Sequence, residues 1–179
     1  MLGRIYEIIE KYLFPDKFCQ SIYEIDFAGL HASGITGLAL DVDNTLVPPG
    51  ARKPDGRAAA LIGSLRDAGF EICIVSNSTR RRVAEFATGF GVFAISGAGK
   101  PAAAGFLKAS RLLKRDLAGM CAIGDQIFTD VLGAKRVGMK SILTKKLTGI
   151  EIFTVMLKRI PEFFVIRMYM KKAAREGAG

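Results

Sequence analysis

Four short groups of polar residues have the types and spacing needed for chemistry on a phosphate ester. In chain order they are Asp41-Val42-Asp43-Asn44-Thr45, Ser76-Asn77, Lys100-Pro101, and Gly124-Asp125-Gln126 followed by Thr129-Asp130. Hydrolysis of a phosphate monoester is difficult because the negative charge repels a nucleophile, and it needs up to ~10²¹-fold acceleration. A site for this reaction must therefore supply cations, oriented hydrogen-bond donors and a nucleophile.

Asp41 and Asp43 are the candidate catalytic pair. Alternate residues of an extended strand point to the same side, so both carboxylates can face one substrate while Val42 points away. A carboxylate nucleophile divides the hydrolysis into formation and breakdown of an aspartyl phosphate, and Asp41 suits this role because it ends an apolar run. Asp43 would protonate the leaving oxygen and later deprotonate the attacking water.

The same groups contain candidate ligands for a metal ion and for the phosphate. Mg²⁺ prefers oxygen ligands and is usually held by one or two carboxylates with substrate and water. We predict Mg²⁺ as the cofactor, with a backbone carbonyl from Asp43 and with Asp130 either binding directly or orienting a water. The candidate metal ligands are Asp41, Asp43, Asp125 and Asp130. The candidate phosphate ligands are Thr45, Ser76, Asn77 and Lys100.

A repeating pattern of strands and helices must position these residues. From Ile35 onward, short apolar runs alternate with helical patterns, which predicts an α/β fold with a central parallel sheet, a Rossmann-like three-layer sandwich. The predicted strands are Gly37 to Val42, Glu71 to Val75, Val92 to Ile95, Cys121 to Ile123 and Ser141 to Leu143. In such sheets ligands bind beyond the carboxyl ends of the strands, which is where the polar groups lie.

Capping signals predict the helices between these strands. The predicted helices run from Pro54-Asp55-Gly56 to Ala68, from Arg80 to Phe90, from Pro101 to Leu113 and from Thr129 to Val137. The second helix begins with Arg80-Arg81-Arg82. We interpret these arginines as a solvated face near the site, with contact to a substrate headgroup as the alternative.

Length and composition predict one domain with short appendages. The chain has 179 residues, of which 50% are hydrophobic, enough to bury one sizeable core. We expect an N-terminal helical segment over 1–34, a catalytic core over 35–149 and an amphipathic, basic helical tail over 150–179. The tail pattern, read from Glu151 to Ile160 and from Phe163 onward, fits a helix on an anionic bilayer, on the protein itself or on a second copy.

Charge and cysteine content limit the classes of function. The 26 Lys and Arg against 17 Asp and Glu give a net charge of +9, which favours anionic partners without choosing among them. Three cysteines without paired spacing favour a reducing, cytoplasmic compartment. Residues 1–13 lack the features of a secretion signal, and charged residues interrupt 150–170, so no transmembrane segment is predicted. The single histidine, His31, argues against a His-based triad.

The ordered polar groups resemble the haloacid dehalogenase superfamily. Asp41-x-Asp43-x-Thr45 is similar to its motif I, Ser76 to motif II, Lys100 to motif III and Gly124-Asp125-x4-Asp130 to motif IV. The flanks Leu13-Phe14-Pro15-Asp16 and Val131-Leu132-Gly133 add a closer similarity to the YqeG-type subfamily of class IIIA phosphatases. That subfamily is similar to the mitochondrial phosphatidylglycerophosphate phosphatase, so the resemblance implies removal of the terminal phosphate from that lipid.

Motif spacing predicts a site without a cap domain. In members of the superfamily that close over small metabolites, a cap is inserted between motifs I and II or II and III, and here each interval has room for roughly one βα unit. An uncovered site accepts a phosphate on a large scaffold or is covered by another subunit. We therefore expect a phosphate-ester substrate, with anionic phospholipid favoured, peripheral contact with the inner face of the membrane and no nucleic-acid partner. The sequence does not decide the oligomeric state, and an oligomer is possible.

Two other functions remain open at this point. The first keeps the chemistry and changes the substrate to a sugar phosphate, a nucleotide or a phosphoprotein. The second is a non-enzymatic phosphoacceptor or scaffold similar to response-regulator receivers, which also use an aspartate, a hydroxyl residue, a lysine and an acidic pair. In those receivers the acidic pair comes early in the chain, whereas here it comes last.

Overall fold

A six-stranded parallel sheet forms the centre of the protein. The computed structural model describes residues 2–51, 53–147 and 153–177. The strands are β1 (Lys17–Cys19), β2 (Gly37–Leu40), β3 (Glu71–Val75), β4 (Phe93–Ile95), β5 (Met120–Gly124) and β6 (Lys140–Thr144). Their order across the sheet is β1-β6-β5-β2-β3-β4, and every pair of neighbours is parallel. The carboxyl ends of all six strands therefore lie at one edge.

Helices connect and flank these strands. The α-helices are α1 (Leu2–Leu13), α2 (Phe27–Ala32), α3 (Gly56–Asp67), α4 (Arg80–Phe90), α5 (Ala103–Leu113), α6 (Leu132–Arg136) and α7 (Phe153–Glu176). A π-helical segment, Ile127–Val131, leads directly into α6. Gly69, with a φ of +90°, follows α3 in the left-handed conformation that ends many helices.

Alternating side chains of the central strands build a core on each face of the sheet. On one face, Leu38, Leu40, Ile72 and Ile74 pack with residues of α3 and α4 such as Ile62 and Phe86. On the other face, Ala39, Cys73, Val75 and Ala122 pack with residues of α5 and α6 such as Phe106 and Ala134. This period of two is the signature of strands buried on both faces, and it produces three layers.

A third apolar cluster lies at the β6 side of the sheet. It joins α1, the π-helical segment, β6 and α7, through the buried residues Phe14, Ile127, Val131, Leu143 and Val165. The rings of Phe14 and Tyr169 meet edge to face with centroids 5.6 Å apart. The first and last helices are thereby packed against the segment that follows β5.

The predicted α/β class with a central parallel sheet is confirmed, and five strands were predicted within two residues at each end. β2 ends earlier than predicted because the chain turns at Val42, whose carbonyl accepts from the N–H groups of Leu46 at 3.0 Å and Val47 at 3.2 Å. β1 was not predicted. It has three residues, too few to show alternation, and it is held beside β6 by Asp16, whose side chain accepts from Ser141 N–H at 2.7 Å.

Neither motif interval contains a second domain in the part of the chain that the structure describes. Between Asp41 and Ser76 lie a loop, α3 and β3, and between Ser76 and Lys100 lie α4 and β4. None of the described helices is both long and apolar enough to cross a bilayer. Residues 148–152 and the side chains of 153–160, on which part of the predicted tail pattern depends, lie outside the described residues.

Candidate active site

The predicted polar groups converge at the carboxyl edge of the sheet. Asp41 follows β2, Ser76 follows β3 and Asp125 follows β5, and the N–H of Asp41 donates to the carbonyl of Ile123 at 2.9 Å. Asp41 and Ser76 border a cavity of about 410 Å³, and Asp125 lies beside Gln126, which also borders it. Its lining consists of Asp41, Asp43, Asn44, Pro49, Gly50, Ser76, Asn77, Ser78, Arg82, Lys100, Gln126 and Thr129.

Lys100 lies at the centre of a buried charge cluster. Its Nζ is 2.7 Å from Asp41 Oδ1 and 2.6 Å from Asp130 Oδ1. The Lys100 side chain is 3% exposed, and both carboxylates are almost as deeply buried. One ammonium therefore joins a carboxylate that follows β2 and one from the π-helical segment after β5, which places the candidate nucleophile against a fixed positive charge.

Burial and neighbouring charges together set the pKa values of Asp41 and Lys100. Desolvation raises the pKa of Asp41 from its ordinary value of 3.8 to about 6, the Lys100 ammonium opposes that rise, and the neighbouring charges of Asp130 and Asp43 add to it. For Lys100, burial lowers the pKa, but Asp130 and Asp41 together outweigh burial and raise it above the usual value. Lys100 is therefore a permanent cation, and Asp41 is ionised near neutral pH.

A closed turn holds Asp125 and Asp130 together. The N–H of Gln126 donates to Asp130 Oδ2 at 3.2 Å, and the N–H of Asp130 donates to the Gln126 carbonyl at 2.9 Å. Asp130 packs so closely over Gly124 that a Cβ there would lie 2.3 Å from Asp130 Cγ. Only glycine fits at that position, which explains the Gly124-Asp125 pair physically.

The acidic residues of this cluster have the chemistry of a divalent-cation site. One carboxylate oxygen from each of Asp41, Asp125 and Asp130 lies within 4.8 Å of the others, and all three residues are buried. Lys100 contacts two of these carboxylates, Asp41 and Asp130, with a single ammonium. Excess buried negative charge is costly unless a cation compensates it, and hard oxygen ligands suit Mg²⁺. The donor set therefore fits Mg²⁺.

Ser76 and Asn77 have different structural roles at the end of β3. Ser76 Oγ accepts from Ser78 N–H at 3.1 Å, so its own proton is the one that can be donated to an anion in the cavity. The side chain of Asn77 bonds the backbone of Lys100 twice, donating to its carbonyl at 3.1 Å and accepting from its N–H at 2.8 Å. Asn77 thus fixes the segment that carries Lys100, and its predicted phosphate contact stays a prediction.

Thr45 is buried in the turn after Asp43 and does not belong to the described cavity lining. It is 1% exposed, and its hydroxyl has no hydrogen-bond partner among the described residues. Asn44 beside it has a φ of +61°, which asparagine adopts more readily than most residues. Asn44 is therefore a turn former, and phosphate contact by Thr45 stays a prediction.

The interpretation of the arginine run as a solvated face is wrong for Arg82. Its Nη2 lies 2.6 Å from Asp43 Oδ1, and its other Nη donates to the carbonyl of Ala51. Arg81 does lie in solvent, where it pairs with Glu85 one turn along the same helix. Sequence reasoning missed the Arg82 contact because it joins α4 to a loop 39 positions away.

Sequence reasoning also missed Gln126 and Thr129 as lining residues. Both lie inside the motif that contains Asp125 and Asp130, and both border the cavity. Thr129 Oγ1 lies 3.3 Å from Asp130 Oδ2, to which it can donate. The signal was their position within the acidic motif, where any side chain on the inner side of the turn must face the site.

The chain is similar to known proteins over much more of its length than the four motifs. A family model described as haloacid dehalogenase-like hydrolase matches residues 49–138, a range that excludes Asp41 and Asp43. The chain is 30% identical over 165 residues to "Probable phosphatase YqeG" of Bacillus subtilis (strain 168), covering 92% of this chain and 96% of that protein. It is 29% identical over 164 residues to "Phosphatidylglycerophosphate phosphatase 1, chloroplastic" of Chlamydomonas reinhardtii, covering 86% of this chain.

The chain spans 61% of the length of that algal protein. Among solved structures, an uncharacterized protein from Listeria monocytogenes serotype 4b superposes with a TM-score of 0.51 at 18% identity. That superposition covers 66% of this chain and 86% of the other. At this identity the likeness concerns the fold.

Proposed function

Because this chain belongs to the haloacid dehalogenase-like hydrolases, as a phosphatase of the YqeG type, we propose that it acts through an aspartyl phosphate formed on Asp41. A carboxylate oxygen of Asp41 attacks phosphorus, and the bond from phosphorus to the leaving oxygen breaks. Asp43, which takes up a proton from solvent when the anionic phosphate lies beside it, gives that proton to the leaving oxygen. The first half of the reaction thus leaves the phosphoryl group on Asp41 and Asp43 ionised.

Water completes the reaction in the second half. Asp43 takes a proton from the water, whose oxygen attacks phosphorus, and the bond from phosphorus to Asp41 breaks. Inorganic phosphate leaves, and both carboxyl groups return to their starting states. The ion pair with Arg82 uses Oδ1 of Asp43, so Oδ2 is the oxygen that can meet the leaving group and then the water.

Mg²⁺ is the proposed cofactor, held by Asp41, Asp125 and Asp130 with the backbone carbonyl of Asp43. When bound, it supplies positive charge that offsets the negative charge of the phosphate. Lys100 adds a second fixed charge, and Ser76 donates its hydroxyl proton to a phosphoryl oxygen. The observation that supports this proposal most directly is the contact of Lys100 with both Asp41 and Asp130, at 2.7 and 2.6 Å, inside a cluster of three buried carboxylates.

We further propose that the substrate is phosphatidylglycerophosphate. Two observations support a phosphate carried on something large. No second domain covers the cavity in the described part of the chain, and the algal relative has this lipid in its name. A lipid phosphate that stands at a membrane surface can enter an uncovered site without leaving the bilayer. Catalysis would then take place at the cytoplasmic face of the membrane.

The outer face of α7 supports contact with such a surface. Phe163 and Phe164 are each 60% exposed, and the exposed residues that follow on the helix include Arg167 and Lys171. Aromatic side chains next to basic ones are typical of helices that lie in the interface of an anionic bilayer. The proposed orientation places this face on the lipid headgroups.

Phosphate release tests the reaction and the substrate together. Purified protein with Mg²⁺ should release inorganic phosphate from phosphatidylglycerophosphate in mixed micelles, and Asp41→Asn should not. The same assay is run on a sugar phosphate, a nucleotide and a phosphopeptide, ranked by kcat/KM. Preference for any of these over the lipid would end the lipid assignment but keep the phosphatase mechanism. If the protein releases phosphate from none of these esters, the catalytic roles proposed for Asp41 and Asp43 are wrong.

Sedimentation with vesicles tests the membrane contact. Binding should increase with the fraction of anionic lipid and should fall in a Phe163→Ser, Phe164→Ser double variant. Phe93→Ser is the matched control, because Phe93 is 50% exposed on β4 at the far edge of the sheet. Equal loss of binding in both proteins would argue against a specific role of α7.

A further inference from the structure

Glu162 brings a buried carboxylate from α7 to the segment that follows Asp125. The residue is 2% exposed. Its Oε1 accepts from the N–H of Ile127 at 2.7 Å and from the N–H of Phe128 at 3.3 Å. Glutamate is rarely buried this deeply unless specific partners compensate its lost hydration. The contact is therefore a defined feature of how α7 packs.

The two donors are the first N–H groups of the helical segment that continues into α6. The first N–H groups of a helix have no partner within the helix, and its N-terminal end carries a partial positive charge. A carboxylate at this end satisfies the donors and complements the charge. Glu162 therefore fixes where this helical segment begins.

The start of that segment also sets the geometry of the acidic turn. Ile127 is separated from Asp125 by a single residue, Gln126, whose N–H and carbonyl both bond to Asp130. A displacement of Ile127 would therefore be transmitted to Asp125 on one side and to Asp130 on the other. The carboxylate of Glu162 acts on these two residues without touching the cavity.

We propose that Glu162 is a positioning residue for the metal-binding turn, which makes α7 part of the active-site framework. This inference rests on the proposed function, because it takes Asp125 and Asp130 as metal ligands. Hydrogen-bond partners that orient metal ligands typically change metal affinity or activity by about 10- to 100-fold when they are removed. A group that only docked a helix would change stability instead.

Val165 offers a matched control on the same helix. It lies one turn after Glu162, is buried in the cluster that contains Ile127 and Val131, and makes its contacts through apolar atoms. Val165→Ala weakens the packing of α7 while it leaves the carboxylate in place. Glu162→Gln keeps a carbonyl oxygen at the same position but lacks the charge that strengthens such hydrogen bonds.

The experiment measures metal binding directly in the full chain. Metal-free wild type, Glu162→Ala, Glu162→Gln and Val165→Ala are titrated with Mn²⁺ as a probe of the oxygen-ligand site, and unbound Mn²⁺ is followed by electron paramagnetic resonance. We expect Glu162→Ala to weaken Mn²⁺ binding by about 10- to 100-fold and Glu162→Gln to weaken it less. Val165→Ala should lower Tm and keep the wild-type affinity.

Several outcomes would overturn the inference. Wild-type affinity in Glu162→Ala would do so, as would an equal loss of affinity in Val165→Ala, because the carboxylate would then serve only the packing of α7. If Glu162→Ala does not fold, unchanged affinity in Glu162→Gln overturns it. If the wild type neither binds Mn²⁺ nor releases phosphate, the proposed function is rejected as well. If the wild type does both, only the proposed role of Glu162 is rejected.

Discussion

Lys100 and Arg82, the two cations among the described residues that line the cavity, lie in different electrostatic surroundings. The Lys100 side chain is 3% exposed and contacts two carboxylates, those of Asp41 and Asp130. The Arg82 side chain is 18% exposed and contacts one carboxylate, that of Asp43, which is 34% exposed. The end of the cavity at Lys100, which we call the Lys100 end, therefore has two carboxylates in contact with one ammonium. The end at Arg82 and Asp43, the Arg82 end, has one charge of each sign.

This difference separates two tasks in one reaction. Excess negative charge in a buried cluster is unfavourable until a cation compensates it, so the Lys100 end suits a metal ion. A balanced ion pair near solvent needs no further charge, and it is weak enough to rearrange during a proton transfer. We therefore assign phosphoryl transfer to the Lys100 end and acid-base chemistry to the Arg82 end.

Asp41→Asn should produce the largest effect on activity. Loss of the nucleophile should lower kcat by at least about 10⁴-fold, as expected when a covalent step is removed. The same change removes a negative charge from the buried cluster, so the metal-free variant should have a higher Tm than the wild type at neutral pH. Phosphate release and thermal unfolding in EDTA measure the two effects. An active variant would refute the assignment of the nucleophile.

The stabilising effect of Asp41→Asn should depend on pH. The pKa of Asp41 is about 6 in the folded chain against an ordinary value of 3.8, so between these values the unfolded chain releases a proton that the folded chain keeps. The wild type therefore loses stability as pH rises through this window. The Tm difference from the variant should grow from about pH 4 to about pH 6 and then level off. A constant difference would indicate that burial of this charge is not destabilising.

Asp43→Asn should have the next largest effect, at the other end of the cavity. General acid-base catalysis typically contributes about 10²- to 10⁴-fold, so kcat should fall by that amount. Because the metal cluster is left intact, the rise in Tm caused by Mg²⁺ should match that of the wild type. A substrate with a good leaving group, such as p-nitrophenyl phosphate, should recover part of the first half-reaction. Loss of the Mg²⁺ effect would mean that the carboxylate of Asp43, and not only its backbone carbonyl, contributes to the metal site.

The contrast between the two ends also shows what sequence reasoning can reach. Asp41, Ser76 and Asp125 were predictable because each follows an apolar run that reads as a strand, and parallel strands end at one edge. Asp130 was predictable from its position in a short turn after Asp125. All of these residues belong to single local patterns, so the arrangement of the strands brings them together.

Residues whose role depends on packing between distant elements were not predictable. Arg82 reaches Asp43 across 39 positions, and Glu162 reaches Ile127 across 35. No local spacing encodes how far α4 or α7 lies from these loops. β1 escaped prediction for a related reason, since three residues show no periodicity and the strand is fixed by the bonds of Asp16 to Ser141.

Lys100→Met should weaken both the chemistry and the stability of the metal-free protein. Removal of one charged donor to the phosphoryl group should lower kcat by about 10²- to 10³-fold. Loss of the only cation paired with Asp41 and Asp130 among the described residues should lower the free energy of unfolding by about 3–5 kcal/mol. Urea unfolding in EDTA measures this change, and Mg²⁺ should reverse part of it.

The control for Lys100→Met is Lys135→Met. Lys135 pairs with Asp16 at 2.7 Å, at a site where the carboxylate is 41% exposed. An exposed ion pair typically contributes about 0–1 kcal/mol, so this variant should keep its activity and nearly all its stability. If both variants lower the free energy of unfolding by the same amount, Lys100 does not compensate the buried carboxylates as we infer.

Of the four active-site variants, Arg82→Gln should have the smallest effect on activity. It tests whether the two ends of the cavity have different tasks. The change removes the guanidinium that holds Asp43 but leaves the carboxylate, so kcat should fall by at most about 100-fold, as for a misplaced catalytic group.

Arg81→Gln is the matched control, because Arg81 is the adjacent arginine, points into solvent and pairs only with Glu85 among the described residues. It should change neither kcat nor KM. The double variant Asp43→Asn, Arg82→Gln should be no slower than Asp43→Asn alone, since Arg82 acts through Asp43. If the two losses instead multiply, Arg82 contacts the substrate directly, and the Arg82 end binds phosphate as we propose for Lys100.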